Sequence, residues 1–155
     1  MATTHEQGEM LLRLYEIRRE TKLREAREWF VSNFQAGSVE EVMTKYPAGS
    51  EGNTYFRMVA SYWDMVANYA SRGLVDEEML FETSGEQWMV WEAIAPLATA
   101  WRAAMKNPHA FENLEKHAKR LEAWREQRAP GSNDAMRQIM GRIRANRAAS
   151  ATGTN

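Results

Sequence analysis

The sequence contains no cysteine, which excludes disulfide bonds, thiol catalysis and cysteine-ligated metal sites. It has three histidines, and neither the HExxH motif nor the Glu-x-x-His pair of di-iron helical bundles occurs. The segment GSEG at 49–52 lacks the lysine that a P-loop places on phosphate. No combination of serine, histidine and carboxylate marks a nucleophilic centre. We therefore expect no metal, no cofactor and no enzymatic activity.

The sequence also lacks a segment that is apolar enough to cross a membrane. Its most apolar window is WMVWEAIAPLATAWRAAM at 88–105, which carries Glu92 and Arg102. Each of these charges would cost about 2.5–3.5 kcal/mol in a bilayer, so a buried helix of a soluble protein is the better interpretation. The start MATTHEQGE has neither the basic residues nor the apolar core of a signal peptide. We expect a bacterial protein of the cytoplasm.

The charge of the chain is distributed unevenly, although the net charge is only −1 over 155 residues. Residues 1–101 contain 9 basic and 16 acidic residues, whereas residues 102–155 contain 11 basic and 5 acidic residues. Either the two halves attract each other, within one fold or across a dimer, or the basic half meets an anionic partner.

The residues from Thr54 to Arg72 predict a central helix. Its polar side chains recur every three or four residues and form one narrow stripe, while the rest of the helix is apolar or aromatic. The polar stripe consists of Arg57, Ser61, Asp64, Asn68, Ser71 and Arg72. A helix with so little polar surface needs neighbours on most sides. Asn53 is the predicted N-cap, and Gly73 is the predicted C′ residue.

A second helix, predicted from Gly85 to Lys106, is also apolar almost all round. Pro96 removes one backbone donor from it and is expected to kink it. The polar residues of the two central helices form solvated edges, an internal ion network or the floor of an aromatic-walled ligand pocket. The candidate pocket residues are Arg57, Tyr62, Trp63, Asp64, Trp88, Trp91, Glu92, Trp101 and Arg102. A pocket would make the protein a small-ligand sensor or an enzyme that uses Asp64, Glu92 and Arg102.

A long N-terminal helix is predicted from Glu6 to Phe34. Its apolar face changes side along its length, because Met10, Leu14 and Ile17 lie on one line and the later apolar residues lie almost opposite. We expect the first half to pack on a second subunit, which makes the protein a homodimer. A kink that brings both faces inward is the alternative.

Four further helices complete the predicted fold. They are expected at 39–46, 77–81, 108–128 and 134–147. Ser38 and Glu41 form a capping box for the first of these, and Asn107 is the predicted N-cap of the third. When the two shortest segments are not both counted, the result is an all-α, single-domain bundle of five or six helices over 1–148, followed by a disordered tail at 149–155.

The last predicted helix carries an apolar stripe among arginines, which is an adaptable binding surface. The stripe and its flanking charges comprise Met136, Ile139, Met140, Ile143, Arg137 and Arg144. This helix docks on the acidic half or binds an unidentified protein partner. Nucleic acid is a less favoured partner, because the whole chain is not basic and no DNA-binding turn motif precedes the helix.

Three passages resemble a group of bacterial all-helical domains of unknown function. They are YPAGSEGNTYFR at 46–57, NLEK at 113–116 and APGSNDAMR at 129–137. The resemblance covers most of the chain and implies an all-α fold without implying a catalytic residue. Some similar proteins carry a membrane helix ahead of the domain, which is not expected here. The combined prediction is a non-enzymatic interaction or regulatory domain.

Overall fold

The computed structural model describes residues 2–153, which form helices α1 to α8 and no strand, so the predicted all-α class is confirmed. The helices are α1 (His5–Arg18), α2 (Thr21–Asn33), α3 (Val39–Lys45), α4 (Glu51–Ser71), α5 (Glu77–Thr83), α6 (Glu86–Ala104), α7 (Glu112–Arg128) and α8 (Ser132–Thr152). The chain divides into two compact units, one up to Lys119 and one from Arg120 onward. None of the helices among residues 2–153 combines the length and apolarity that crossing a bilayer requires.

The predicted long N-terminal helix is wrong, because the chain breaks between α1 and α2. The Glu20 side chain accepts the backbone N–H groups of Lys22 and Leu23 at 3.1 and 3.0 Å, and so caps α2. The Leu23 N–H makes the largest contribution to lowering the pKa of the Glu20 carboxyl. The break brings both Leu14 and Leu23 into the core, as the alternative of inward-facing halves predicts.

The centre of the first unit is α4, which packs on α2 and α6. Trp63 of α4 and Trp88 of α6 are almost completely buried, as the two predicted apolar helices require. The N-cap of α4 is Ser50 rather than the predicted Asn53, because the Ser50 hydroxyl accepts the Asn53 N–H at 3.2 Å. Gly73 has a φ of +71° and follows the helix as predicted.

The number of helices exceeds the predicted five or six for a local reason. The break at Glu20 adds one helix, and the seven-residue helices α3 and α5 are separate elements. α6 continues through Pro96 as one helix, so the chain does not break there, and the kink stays a prediction. The proposed single domain over 1–148 also stays a prediction.

The start of α7 differs from the prediction. Asn107 does not cap a helix that begins at Pro108; its side chain accepts the His109 N–H at 3.0 Å in a local turn. The helix begins only at Glu112, after Phe111 with a φ of +60°. This turn places Phe111 against the end of α6, where it forms part of a site described below.

The second unit contains the last helix, which is longer than predicted. α8 begins at Ser132 after Gly131, whose φ is +85°, and continues to Thr152 instead of ending at Arg147. Residues 149–152 of the expected disordered tail are therefore helical, and their alanines favour this extension. The last two residues of that tail lie outside the described residues.

Candidate functional site

An apolar groove lies between α1, α4 and α5 in the first unit, and we call it the α1 groove. Its volume is about 220 Å³. Leucines from α1 and α5 form its walls, and Tyr62 and Trp63 of α4 contribute to its lining. Among the residues that the structure describes, Arg18 is the one charged residue that lines the groove. An apolar hollow of this kind at the surface fits a large apolar side chain of a partner.

The floor of the α1 groove is held by hydrogen bonds that connect four helices. The buried Tyr62 hydroxyl donates to the Leu14 carbonyl of α1 at 2.6 Å, and burial raises the pKa of Tyr62 to about 12. Trp63 donates its Nε1–H to the Glu86 carboxylate at 3.1 Å. The same carboxylate forms two bonds with Arg27, Nε to Oε1 at 2.8 Å and Nη2 to Oε2 at 2.6 Å. These contacts fix α1, α2, α4 and α6 to one another around the groove.

The rim of the α1 groove combines one cation with exposed apolar side chains. The Arg18 guanidinium lies 4.9 Å from the Tyr15 ring centre and donates to the Ser84 hydroxyl at 3.2 Å. Three large apolar residues of α1 are exposed, namely Leu12 at 65%, Tyr15 at 48% and Ile17 at 42%. A helix of 14 residues therefore presents much of its apolar surface to solvent.

A second hollow, which we call the α4 hollow, lies between α4, the end of α6 and the turn before α7. Its volume is about 450 Å³. Three aromatic rings line it and contact one another, with centroid distances of 5.6 Å for Phe56–Trp101, 5.9 Å for Trp101–Phe111 and 6.4 Å for Phe56–Phe111. Its polar residues come from the polar stripe of α4 and include Arg57 and Asp64.

Asp64 has a structural role at one end of the α4 hollow, where it binds the start of α7. Its carboxylate accepts the Leu114 backbone N–H at 2.9 Å and the Asn113 side-chain amide at 3.0 Å. The residue therefore caps the first turn of α7, where a negative charge is also favoured by the helix dipole. Asn68, the next member of the stripe, donates to the same Asn113 at 3.3 Å.

Arg102 also has a structural task. It donates to the Ala110 carbonyl at 2.9 Å and to the Glu115 carboxylate at 2.6 Å, which fixes the turn between α6 and α7. The hydrogen bond from Lys119 is the largest influence that lowers the pKa of Glu115, and the bond from Arg102 acts in the same direction. Both partners of the Arg102–Glu115 pair are about four-fifths buried, so their charges are shielded from solvent and compensate each other.

The structure thus brings together only part of the predicted pocket. Arg57, Asp64 and Trp101 line the α4 hollow, and Arg102 supports its edge. Tyr62 and Trp63 line the α1 groove instead, because they point to the other side of α4. Neither hollow is lined by Trp88, Trp91 or Glu92, of which both tryptophans are core residues.

The residues of the predicted partner surface differ in their exposure to solvent. Leu14 is buried in the core, Met10 is half-buried and Ile17 is exposed. Within the second unit, Ile139 and Ile143 are exposed, Met136 and Met140 are half-buried, and Arg144 is exposed. Arg137 is engaged with Glu122, at 2.7 Å between Nη2 and Oε1.

One polar pair was not predicted from the sequence. His117 of α7 is fully buried, and its Nδ1 lies 2.9 Å from Glu77 of α5, while its Nε2 has no hydrogen-bond partner. The periodicity of α7 places His117 on the same inner face as Ala118 and Leu121. This position on the helix could have predicted the burial of His117 from the sequence. No group of three histidine, cysteine or acidic residues that could hold a metal occurs in the described residues 2–153.

These features define a protein that is all-helical over residues 2–153 and that carries the α1 groove and the α4 hollow in its first unit. The family described as a domain of unknown function (DUF4760) matches residues 3–121, and the chain belongs to that family. The match confirms the predicted resemblance to helical domains of unknown function and includes the passages at 46–57 and 113–116. No curated protein and no solved structure matches the chain.

Proposed function

We propose that this chain is a non-enzymatic protein-interaction domain that binds its partner through α1 and the α1 groove. The observation that carries the proposal is the exposure of Leu12, Tyr15 and Ile17 beside an apolar groove. Concentrated apolar surface on a small domain is typical of an interaction site. Buried apolar anchors in pockets supply much of the affinity of such contacts.

The pairing of charged groups supports a binding role over a catalytic one. Arg27 and Glu86 are joined by two hydrogen bonds, and Arg102 and Glu115 form a second close pair. Asp64 is engaged with the start of α7. Because these side chains fix helices, they are poorly suited to transfer protons or to attack a substrate.

A second copy of the chain is the first partner that we propose. The α1 surface supplies both projecting apolar side chains and a groove that can receive one, as a two-fold symmetric contact requires. Around Leu12 and Ile17 the helix also carries Glu9, Arg13 and Glu16. An antiparallel pair of α1 helices could therefore match opposite charges across the contact.

The test is the mass of the protein in solution, measured by light scattering over a range of concentrations. We expect a dimer for the natural sequence and a monomer for Leu12→Glu, because the substitution buries a charge in the contact. Met43→Glu is the matched control, since Met43 is exposed to 44% on a different helix. A natural chain that remains monomeric throughout would exclude self-association, and a dimer retained by Leu12→Glu would place the contact elsewhere.

A further inference from the structure

We propose that the α4 hollow is a binding site for a small aromatic monoanion. In this site the Arg57 guanidinium holds the anionic group, and the rings of Trp101 and Phe111 contact the aromatic body of the ligand. The proposal is independent of the α1 surface, because α4 turns different sides to the two hollows.

The first argument is the state of Arg57. It is exposed at the hollow and forms no hydrogen bond or ion pair within the described residues 2–153. Two other arginines do form hydrogen bonds within the protein, because Arg72 donates to Asn68 at 3.0 Å and Arg102 donates to Glu115. A guanidinium with its donors available binds carboxylate, sulfonate or phosphate groups through two parallel hydrogen bonds.

The second argument is the shape and lining of the hollow. A volume of about 450 Å³ lies within the range of small-molecule sites. Of the three aromatic rings, those of Trp101 and Phe111 are partly accessible to solvent, whereas the Phe56 ring that contacts both is buried. Ring faces and edges of this kind favour an aromatic ligand over an aliphatic one.

The third argument is the backbone of Phe111. Its φ of +60° lies in the left-handed region, which is unusual for a bulky side chain. The conformation is held by the ring contacts with Phe56 and Trp101 and by the capping of α7 that follows. Strained residues are frequent at binding sites, where they hold a group in position before the ligand arrives.

The charges along α4 determine the class and direction of the ligand. Arg57 is the one cation in the described lining, so a single anionic group is matched. Asp64 lies two helical turns further on, at roughly 10 Å along the axis, and its carboxylate is already engaged. A second negative charge at that end would be repelled, which orients the ligand with its anion toward Arg57.

Two fluorescent probes with the same body test this inference. One is 8-anilinonaphthalene-1-sulfonate, which carries one negative charge, and the other is neutral N-phenyl-1-naphthylamine. We expect the anionic probe to bind the natural chain more tightly than the neutral probe. In Arg57→Gln, the affinity for the anionic probe should fall about tenfold, because a charged hydrogen bond is lost, while the affinity for the neutral probe stays unchanged.

Two matched variants separate this site from other surfaces. Arg24→Gln removes an exposed arginine from α2 that lines neither hollow, and it should leave both affinities unchanged. Arg18→Gln removes the cation of the α1 groove. Loss of anionic-probe affinity in Arg18→Gln but not in Arg57→Gln would overturn the proposal, as would equal affinities for the two probes in the natural chain. Circular dichroism and thermal unfolding establish that each variant is folded.

Discussion

Asp64 of α4 accepts the backbone N–H of Leu114 at 2.9 Å, so a side chain from one helix caps another helix fifty positions later. The first turn of an α-helix has N–H groups without intrahelical acceptors. α7 meets this need with a carboxylate from the centre of the fold, and not with the side chain of Asn107 at the preceding turn. The same contact fixes the turn that contains Phe111 and therefore the wall of the α4 hollow.

The Asp64 cap leads to a prediction about stability. Asp64→Ala should lower the free energy of unfolding by about 1–2 kcal/mol, because the buried Leu114 N–H loses its acceptor. Asp64→Asn should cost less, since its amide oxygen still accepts the Leu114 N–H, although the charge at the helix end and the acceptor for the Asn113 side-chain amide are lost. Urea unfolding measures both changes. Ser61→Ala, one turn away on the same stripe, is the control, and its free energy of unfolding should stay within about 0.5 kcal/mol of that of the natural chain. An equal loss of stability in Asp64→Ala and Ser61→Ala would contradict the capping role.

Gly52 gives a prediction in which packing opposes helix propensity. An alanine Cβ there would lie 2.7 Å from Tyr46 Cδ1 and 2.9 Å from Trp29 Cζ2. Alanine favours a helix over glycine by about 1 kcal/mol, but overpacking of this kind costs about 1–3 kcal/mol. We expect Gly52→Ala to lower the melting temperature.

The control for this prediction is Gly8→Ala in α1, where no atom beyond the adjacent residues and the backbone of the same helix lies within 4 Å of an added Cβ. This variant should raise the melting temperature, because only the propensity changes. Calorimetry of the two variants should thus show shifts of opposite sign. Shifts of the same sign would mean that Trp29 and Tyr46 move aside without cost.

Tyr62 leads to a prediction about alkaline stability. Burial raises its pKa to about 12, above the value of about 10 for an unfolded tyrosine. The folded state thus holds the phenolic proton more tightly, so this stabilisation is present below pH 10 and is lost as the pH rises from about 10 to about 12. Tyr62→Phe should lower the free energy of unfolding at pH 7 by about 1 kcal/mol and should weaken the decline above pH 10.

Denaturant unfolding at pH 7, 10 and 11 measures this dependence. The control is Tyr69→Phe, since the Tyr69 hydroxyl makes no hydrogen bond within the described residues. The control should follow the pH profile of the natural chain. If Tyr62→Phe declines as steeply above pH 10 as the natural chain, Tyr62 does not cause the loss.

The buried His117–Glu77 contact leads to a fourth prediction. Glu77→Ala should lower the free energy of unfolding by about 1–3 kcal/mol, because Nδ1 of a fully buried histidine would lose its 2.9 Å contact. Glu78→Ala is the matched control, because Glu78 is exposed in the same first turn of α5 and surface charges contribute little. Urea midpoints compare the two variants, and a larger effect at Glu78 would rule out this role for Glu77.

Local features of the fold were predictable because their causes lie within a few residues. Ser38 accepts the Glu41 N–H and Asp76 accepts the Met79 N–H, and both cap helices as their residue types predict. Gly73 ends α4 with the Leu74 N–H bonded to the Tyr69 carbonyl at 3.0 Å. The narrow polar stripe likewise predicted the burial of α4.

The candidate sites were predictable only in part, because they depend on which helices meet. The stripe identified Arg57 and Asp64, but the contribution of Phe111 depends on a left-handed residue that the sequence pattern does not show. The sequence places Trp63 and Trp101 in one predicted pocket, because both are aromatic residues on central helices. They line different hollows, since α4 presents opposite sides to α1 and to the end of α6.

The sequence by itself determined the helical class, the two buried central helices and local caps such as Ser38 and Gly73, because periodicity and capping act over one or two turns. Tertiary structure decided where α1 separates from α2, which carboxylate caps α7 and which side chains enclose each hollow. These outcomes depend on contacts between residues far apart in the chain, such as Asp64 with Leu114 and Tyr62 with Leu14. Only the packed helices bring such partners within hydrogen-bonding distance.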